Sequence, residues 1–310
     1  MDFLRFLESL RNPALDAFFN VITHVGAEAA FIAVSIVFFW CISKREGYYI
    51  LLTGLFCTTA TQLLKLVFRI PRPWVIDPEF TIVEAARANA GGYSFPSGHT
   101  QNVVGTLGAA AMVRKEKWLR IVCVVFIILV PFSRMYLGVH TPLDVGAAFL
   151  LTAAAVLALY PCFRSDDAFR RSIPYLIPLG ILTGLVYVLY VALWKFPPDM
   201  DAENMTEGIK NGYTVLGCVA GLAAVRLVDR KLDFKVEAPL IGQLCKLAMG
   251  FPLALAVKSG LKALFLSVGF THPVQNTVRY FCLIAFAGIL WPMTFPFFAK
   301  LGKKSVRNAA

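Results

Sequence analysis

Charge is scarce in this chain. Only 16% of its 310 residues are Asp, Glu, Lys or Arg, against about 25% in an average soluble domain. It therefore lacks the charged surface that would keep a protein of this size in water. With 58% hydrophobic residues and a mean hydropathy of +0.66, intrinsic disorder is excluded. The seven cysteines form no CxxC pair and lie almost entirely within apolar runs. That excludes a disulfide framework and a zinc site, and leaves them as small packing residues. No Cys/His cluster, carboxylate cage or Walker-type glycine loop is present, so neither a metal nor another cofactor is expected. The charged n-region and continuous apolar h-region of a signal peptide are missing as well. No internal repeat, domain linker or inserted soluble domain is visible.

What the chain does have is a series of apolar stretches close to the length that crosses a bilayer. They fall at roughly 27–42, 48–66, 99–113, 118–136, 142–162, 174–194, 211–228, 239–264 and 277–299. The expected fold is all-α, a polytopic membrane helical bundle of about nine transmembrane helices. Ahead of it, Asp2, Arg5, Glu8, Arg11 and Asp16 alternate with Phe3, Leu4, Phe6, Leu7 and Leu10. That pattern, broken at Pro13, suits an amphipathic helix lying in the interface. The net charge of +11 would suggest nucleic acid in a soluble protein. Here the basic residues crowd alternate short loops: Lys44 and Arg45, then Arg114 to Arg120, Arg164 to Arg171 and Arg226 to Lys235. The tail adds Lys300, Lys303, Lys304 and Arg307, whereas Asp199, Asp201, Glu203 and Glu207 make the 195–210 connection acidic. By the positive-inside rule, nucleic acid is not a partner, the N-terminus lies outside and the C-terminus lies in the cytoplasm.

Three clusters fall at the outer ends of these spans. In Lys65-x6-Arg72-Pro73, seven residues are about two helical turns, so a helical path sets both cations on one face. Pro71 and Pro73 stop that helix and leave Arg72 on a stiff turn. Snorkelling at a membrane edge is the plainer reading of the pair alone. In Pro96-Ser97-Gly98-His99, a glycine admits close backbone approach, Ser97 and the first free N–H groups of a helix make an anion cradle, and His99 stands at its rim. By itself the tetrapeptide is an ordinary turn and helix cap. The third cluster is Ser133-Arg134-x5-His140-x3-Asp144. Arg134 ends an apolar run, where an unpaired guanidinium is costly. His140 and Asp144 are i and i+4, so the carboxylate can hold one imidazole nitrogen and leave the other free as a nucleophile. Taken together on one membrane face, three cations, two histidines and a carboxylate make an oxyanion site with a nucleophile and an acid.

These three motifs, in this order, resemble those of the type-2 phosphatidic acid phosphatase superfamily, which also includes glucose-6-phosphatases and vanadium haloperoxidases. The resemblance implies a six-helix-type phosphatase core, with helices added after it, and two-step phosphoryl transfer without a metal. By that analogy His140 attacks phosphorus, Asp144 orients it, and His99 protonates the leaving group and then activates water. Lys65, Arg72, Ser97, Gly98 and Arg134 hold the phosphoryl oxygens, with Ser133 a weaker candidate.

The expected organisation is an interfacial segment at 1–24, a phosphatase core at 25–195, and additional C-terminal spans with a basic tail at 196–310. Lys258 and Lys262, again i and i+4, are secondary candidates for a distal phosphate or headgroup, with snorkelling the simpler role. Gly217-x3-Gly221 reads as a close helix contact. The expected substrate is a membrane lipid phosphate or diphosphate, and the leading choice is undecaprenyl diphosphate, hydrolysed to undecaprenyl phosphate and phosphate. Phosphatidate, phosphatidylglycerophosphate, a sphingoid phosphate and a soluble sugar phosphate are the alternatives. A vanadate-dependent oxidase is disfavoured because such relatives are soluble. A lipid or anion transporter is disfavoured because binding alone needs no nucleophile. Oligomeric state is not expressed in the sequence.

Overall fold

A computed structural model describes residues 1–198, 200–232 and 234–301. Asp199, Lys303, Lys304 and Arg307, which contribute to the charge pattern above, lie outside the described residues. Among those described, the chain is helical throughout, with no strand. The amphipathic N-terminus forms α1 (Asp2–Ser9), with Leu4 and Leu7 buried and Phe3 and Phe6 exposed. Asn12 caps α2 (Pro13–Thr23), which has Pro13 in its first turn, where a missing N–H costs nothing. α2 is bent by 52° from the segment Glu28–Ile42, made of α3 (Glu28–Val37) and a wider turn at Phe38–Ile42.

The remaining helices are α4 (Lys44–Phe68), the short α5 (Pro73–Ile76), α6 (Gly98–Val113), α7 (Lys117–Tyr136) and α8 (Pro142–Phe163). After them come α9 (Asp166–Leu193), α10 (Ala202–Leu232), α11 (Leu240–Ser267), α12 (Val274–Ala285) and α13 (Phe295–Phe298). Among the described residues seven helical segments are long and apolar enough to cross a membrane, or eight if the bent pair α2–α3 is one span. The chain is thus a multi-pass membrane protein. The difference from the expected count of about nine lies in the bent α2–α3 pair and in α6, whose 16 residues rise about 24 Å, short of the roughly 30 Å hydrocarbon core.

α4 is the hub of the bundle, packed against α3, α6, α8, α9 and α10, while α10 also holds α12. Its core is aromatic: Tyr49 stacks on Phe163 at 5.1 Å and donates its hydroxyl to the Val156 carbonyl at 2.6 Å. Such partners let a tyrosine sit where water cannot reach. Outward-facing Ile121, Ile128, Leu150, Leu157 and Leu182 are exposed, as lipid-facing residues should be. The basic loops meet at one end. Lys44 pairs with Asp229 at 2.6 Å, Arg45 with Asp166 at 2.7 Å and Arg114 with Glu46 at 3.5 Å. The three motifs lie at the opposite end, where α1 rests on the loop after α5 through Arg5–Asp77 at 2.5 Å and Glu8 with Thr81.

Candidate active site

α4 ends where Arg69 adopts the left-handed conformation (φ 51°) and returns its N–H to the Lys65 carbonyl. The chain then turns sharply, and Arg72 enters the protein as the N-cap of α5. Its guanidinium fastens two loops. Nε donates to the Gly92 carbonyl (3.0 Å), Nη2 to Gly91 (2.8 Å) and Nη1 to Val139 (2.9 Å). Nη1 also lies 2.9 Å from His140 Nε2. Lys65 Nζ donates to the Tyr93 carbonyl on the same loop.

Ser97 is the N-cap of α6, with its hydroxyl accepting from Thr100, and its own N–H donates to the Asp144 carbonyl at 3.1 Å. That backbone bond joins the second motif to the third. Gly98 follows with open space where a Cβ would point, so its backbone can be approached closely. His99 Nε2 is buried with no hydrogen-bond partner. Arg134, at the end of α7, is fully buried; Nη1 donates to Thr23 Oγ1 at 2.9 Å and Nη2 to the Asn89 carbonyl at 3.3 Å, while Nε has no partner.

Asp144 starts α8 in a capping box with Thr141, which fixes the carboxylate's direction. Oδ2 accepts from the Thr141 N–H (2.7 Å) and the Ser94 hydroxyl (2.6 Å), and stands 3.4 Å from His140 Nδ1. Because Nε2 faces a guanidinium, which can only donate, it carries the lone pair and Nδ1 carries the proton. Burial, then the cations Arg72, Arg134 and Lys65, hold the His140 imidazole well below the ordinary histidine range. It is a neutral imidazole whose Nε2 lone pair accepts from Arg72 Nη1.

The structure therefore brings Lys65, Arg72, Ser97, Gly98, His99, Arg134, His140 and Asp144 to one end of the bundle. Three buried cations face a single buried carboxylate there, an excess of positive charge that is costly in a low-dielectric interior unless an anion offsets it. Ser133 is not turned to this purpose: its hydroxyl donates to the Val130 carbonyl one turn back. Among the described residues, neither Lys258 nor Lys262 hydrogen-bonds or ion-pairs with the cluster. Lys258 lies over the Tyr280 ring at 5.1 Å, Lys262 is exposed, and their helix packs chiefly on α12. Ser94 and Thr23 leave no signal in the sequence, since a lone Ser or Thr carries no spacing pattern. Among the described residues no group of three His, Cys, Asp or Glu side chains is placed to hold a metal ion.

Residues 46–167 match the profile described as PAP2 superfamily, and residues 213–304 match that of the PAP2 superfamily phosphatase transmembrane extension. A probable sphingosine-1-phosphate phosphatase of Dictyostelium discoideum is 28% identical, over 76% of this chain and 58% of its own length. Sphingosine-1-phosphate phosphatase 1 of Mus musculus is 26% identical over 76% of this chain and 53% of its own. An undecaprenyl-diphosphatase of Bacillus subtilis is 28% identical, over 62% of this chain and 93% of its own length. The chain thus spans little more than half the length of the two curated sphingosine-phosphate relatives. No solved structure matches it.

Proposed function

The chain belongs to the PAP2 superfamily, and from that premise we propose that it is a membrane phosphatase that hydrolyses a lipid phosphate through a phosphohistidine at His140. The observation that carries this reading is the chain Ser94–Asp144–His140–Arg72. It presents a neutral Nε2 lone pair against a guanidinium able to hold a phosphoryl oxygen. Nε2 attacks phosphorus as the bond to the lipid oxygen breaks, and His99, protonated once the bound phosphate anion offsets the surrounding cations, gives the departing alkoxide its proton. His99 then takes a proton from water, whose oxygen attacks phosphorus. The P–N bond breaks, releasing inorganic phosphate and restoring His140. Asp144 stabilises the imidazolium character that builds at Nδ1. Lys65, Arg72, Arg134 and the N–H groups at Gly98 offset charge on the equatorial oxygens, the work that magnesium does elsewhere.

Extracytoplasmic placement of this site is supported by the basic residues gathered at the other end. The domain reading is an interfacial segment at 1–24, a catalytic core at 25–195 and an extension at 196–310. A lipid monophosphate is preferred because the sphingosine-phosphate relatives match further along the chain, and because Lys258, a secondary candidate for a distal phosphate, lies over the Tyr280 ring instead. Undecaprenyl diphosphate is the second reading, favoured by the Bacillus match over 93% of that protein. Phosphate release from sphingosine phosphate, phosphatidate and undecaprenyl diphosphate, assayed side by side, decides between them. Release from undecaprenyl diphosphate alone would reverse the preference.

A further inference from the structure

A cavity of about 150 Å³ reaches Gly98 and runs between α3, α4, α10 and α12. α4 lines it with Leu51, Leu55, Thr58 and Gln62, spaced i, i+4, i+7 and i+11 as one helix face requires. The next residue on that face is Lys65, so the phosphate cluster stands at the cavity's end. From Leu51 to Lys65 the helix rises about 21 Å. The lining is graded. Gln62, Gln101 and Glu28 lie towards Gly98, whereas Trp40, Leu222 and Val225 line the deeper part. At the bottom the Trp40 indole donates to the Ala287 carbonyl at 2.7 Å, joining the wider turn after α3 to the turn after α12.

Two features indicate what occupies it. Gln101 is 2% exposed and accepts from the Thr58 hydroxyl at 3.3 Å, but its Nε2 donor is buried without a partner. An unpaired amide at this depth is costly, so the donor suits an acceptor oxygen on a ligand. Second, the α4 lining from Leu51 to Gln62 rises about 16 Å, comparable with half of a roughly 30 Å hydrocarbon core, the depth of one lipid chain in a leaflet. α10 and α12, which supply two of its walls, belong to the matched transmembrane extension.

We propose that this cavity binds the hydrocarbon chain of a single-chain lipid phosphate, with Gln101 donating to a hydroxyl or carbonyl oxygen beside the phosphate. The extension helices then set substrate choice without touching the reacting atoms. The inference rests on the lipid phosphatase reading and adds the site that selects among lipids. The second chain of a two-chain lipid and most of a polyprenyl tail would have to lie outside a cavity of about 150 Å³, against the bilayer.

Cys218 lies midway along the α10 wall and carries a free thiol. In the His140→Ala protein, which binds without turnover, palmitoyl lysophosphatidate should slow maleimide labelling of Cys218 about tenfold, read by peptide mass spectrometry. Dioleoyl phosphatidate and undecaprenyl diphosphate at equal concentration should not. Labelling of Cys218 that is equally fast with and without lysophosphatidate overturns the proposal, and so does equal protection by all three lipids. In a second test, Cys218→Trp blocks the channel halfway. The ratio of kcat/KM for palmitoyl lysophosphatidate to that for butyl phosphate should fall by about tenfold or more, the loss of two or more buried methylenes. A ratio within about twofold of the unmodified protein rejects the chain site, and because it is a ratio, a smaller folded fraction does not affect it. If the unmodified protein releases phosphate from neither substrate, the phosphatase reading fails, and Cys218 protection alone then judges the cavity.

Discussion

His140 is held from two sides, by Asp144 at Nδ1 and by Arg72 facing Nε2, and each contact makes a separate prediction. His140→Ala should eliminate turnover. Asp144→Asn should lower kcat by about 10²–10⁴, the range for a misoriented catalytic imidazole. Ser94→Ala removes one hydrogen bond to the Asp144 carboxylate, worth about 1.5–3 kcal/mol. It should reduce kcat roughly 10- to 100-fold with little change in KM, and a loss confined to KM would remove Ser94 from the positioning chain. The pH profile follows from the lowered affinity of His140 for a proton. The charged form is disfavoured, so Nε2 keeps its lone pair as the medium is acidified. The acidic limb of kcat/KM due to His140 should therefore fall below about pH 6.5, the ordinary histidine value. A limb above it, moved by Asp144→Asn, would contradict this. Lys65, Arg72, Arg134, His140 and Asp144 are legible in the sequence because each sits at fixed spacing within a short motif. Ser94 is not, because it meets Asp144 only after a separation of 50 residues is folded away. Thr23, 111 residues from Arg134, is hidden for the same reason.

At the level of elements, hydropathy locates the long helices, but it misses what packing decides. The bend between α2 and α3 leaves no mark in hydropathy, whereas the shortness of α6 is already visible in the apolar run at 99–113. Gly217-x3-Gly221 was readable as a helix contact, and its partner is α12. A Cβ on Gly217 would come within 2.4 Å of the Thr277 carbonyl oxygen, and one on Gly221 within 2.8 Å of Ile284 Cβ. Backbone cannot yield as a side-chain tip does, so Gly217→Leu should destabilise the bundle by about 1–3 kcal/mol or more. A thermal midpoint in detergent unchanged from the parent would show that α10 and α12 do not need this approach. Spacing alone could not fix the role of Lys258 and Lys262, since i and i+4 lysines at a helix end serve equally for snorkelling and for ligand binding. With Lys258 over Tyr280 and Lys262 exposed, replacing both with Gln should leave KM for a lipid monophosphate within about twofold. A raised KM would return them to the substrate site.

Across the whole molecule, charge is sorted by end. Lys44, Arg45, Arg114 and Arg226 gather with Asp229, Asp166 and Glu46 at one end, and the phosphate-binding cluster occupies the other. If the basic end is cytoplasmic, cysteines introduced at Ala88 and Asp201, both exposed at the site's end, should react with an impermeant thiol reagent in intact cells. One at exposed Lys231 should not. The reverse pattern would turn the site to the cytoplasm. The central claim is narrower: the positive charge that hydrolysis needs comes from Lys65, Arg72 and Arg134, and the nucleophile is His140. It is tested most directly by phosphate release from lysophosphatidate by the purified protein in excess EDTA, beside His140→Ala. Sustained release by the parent and none by the variant is the predicted result. Activity abolished by EDTA and restored by magnesium, or near-normal turnover in His140→Ala, would contradict it.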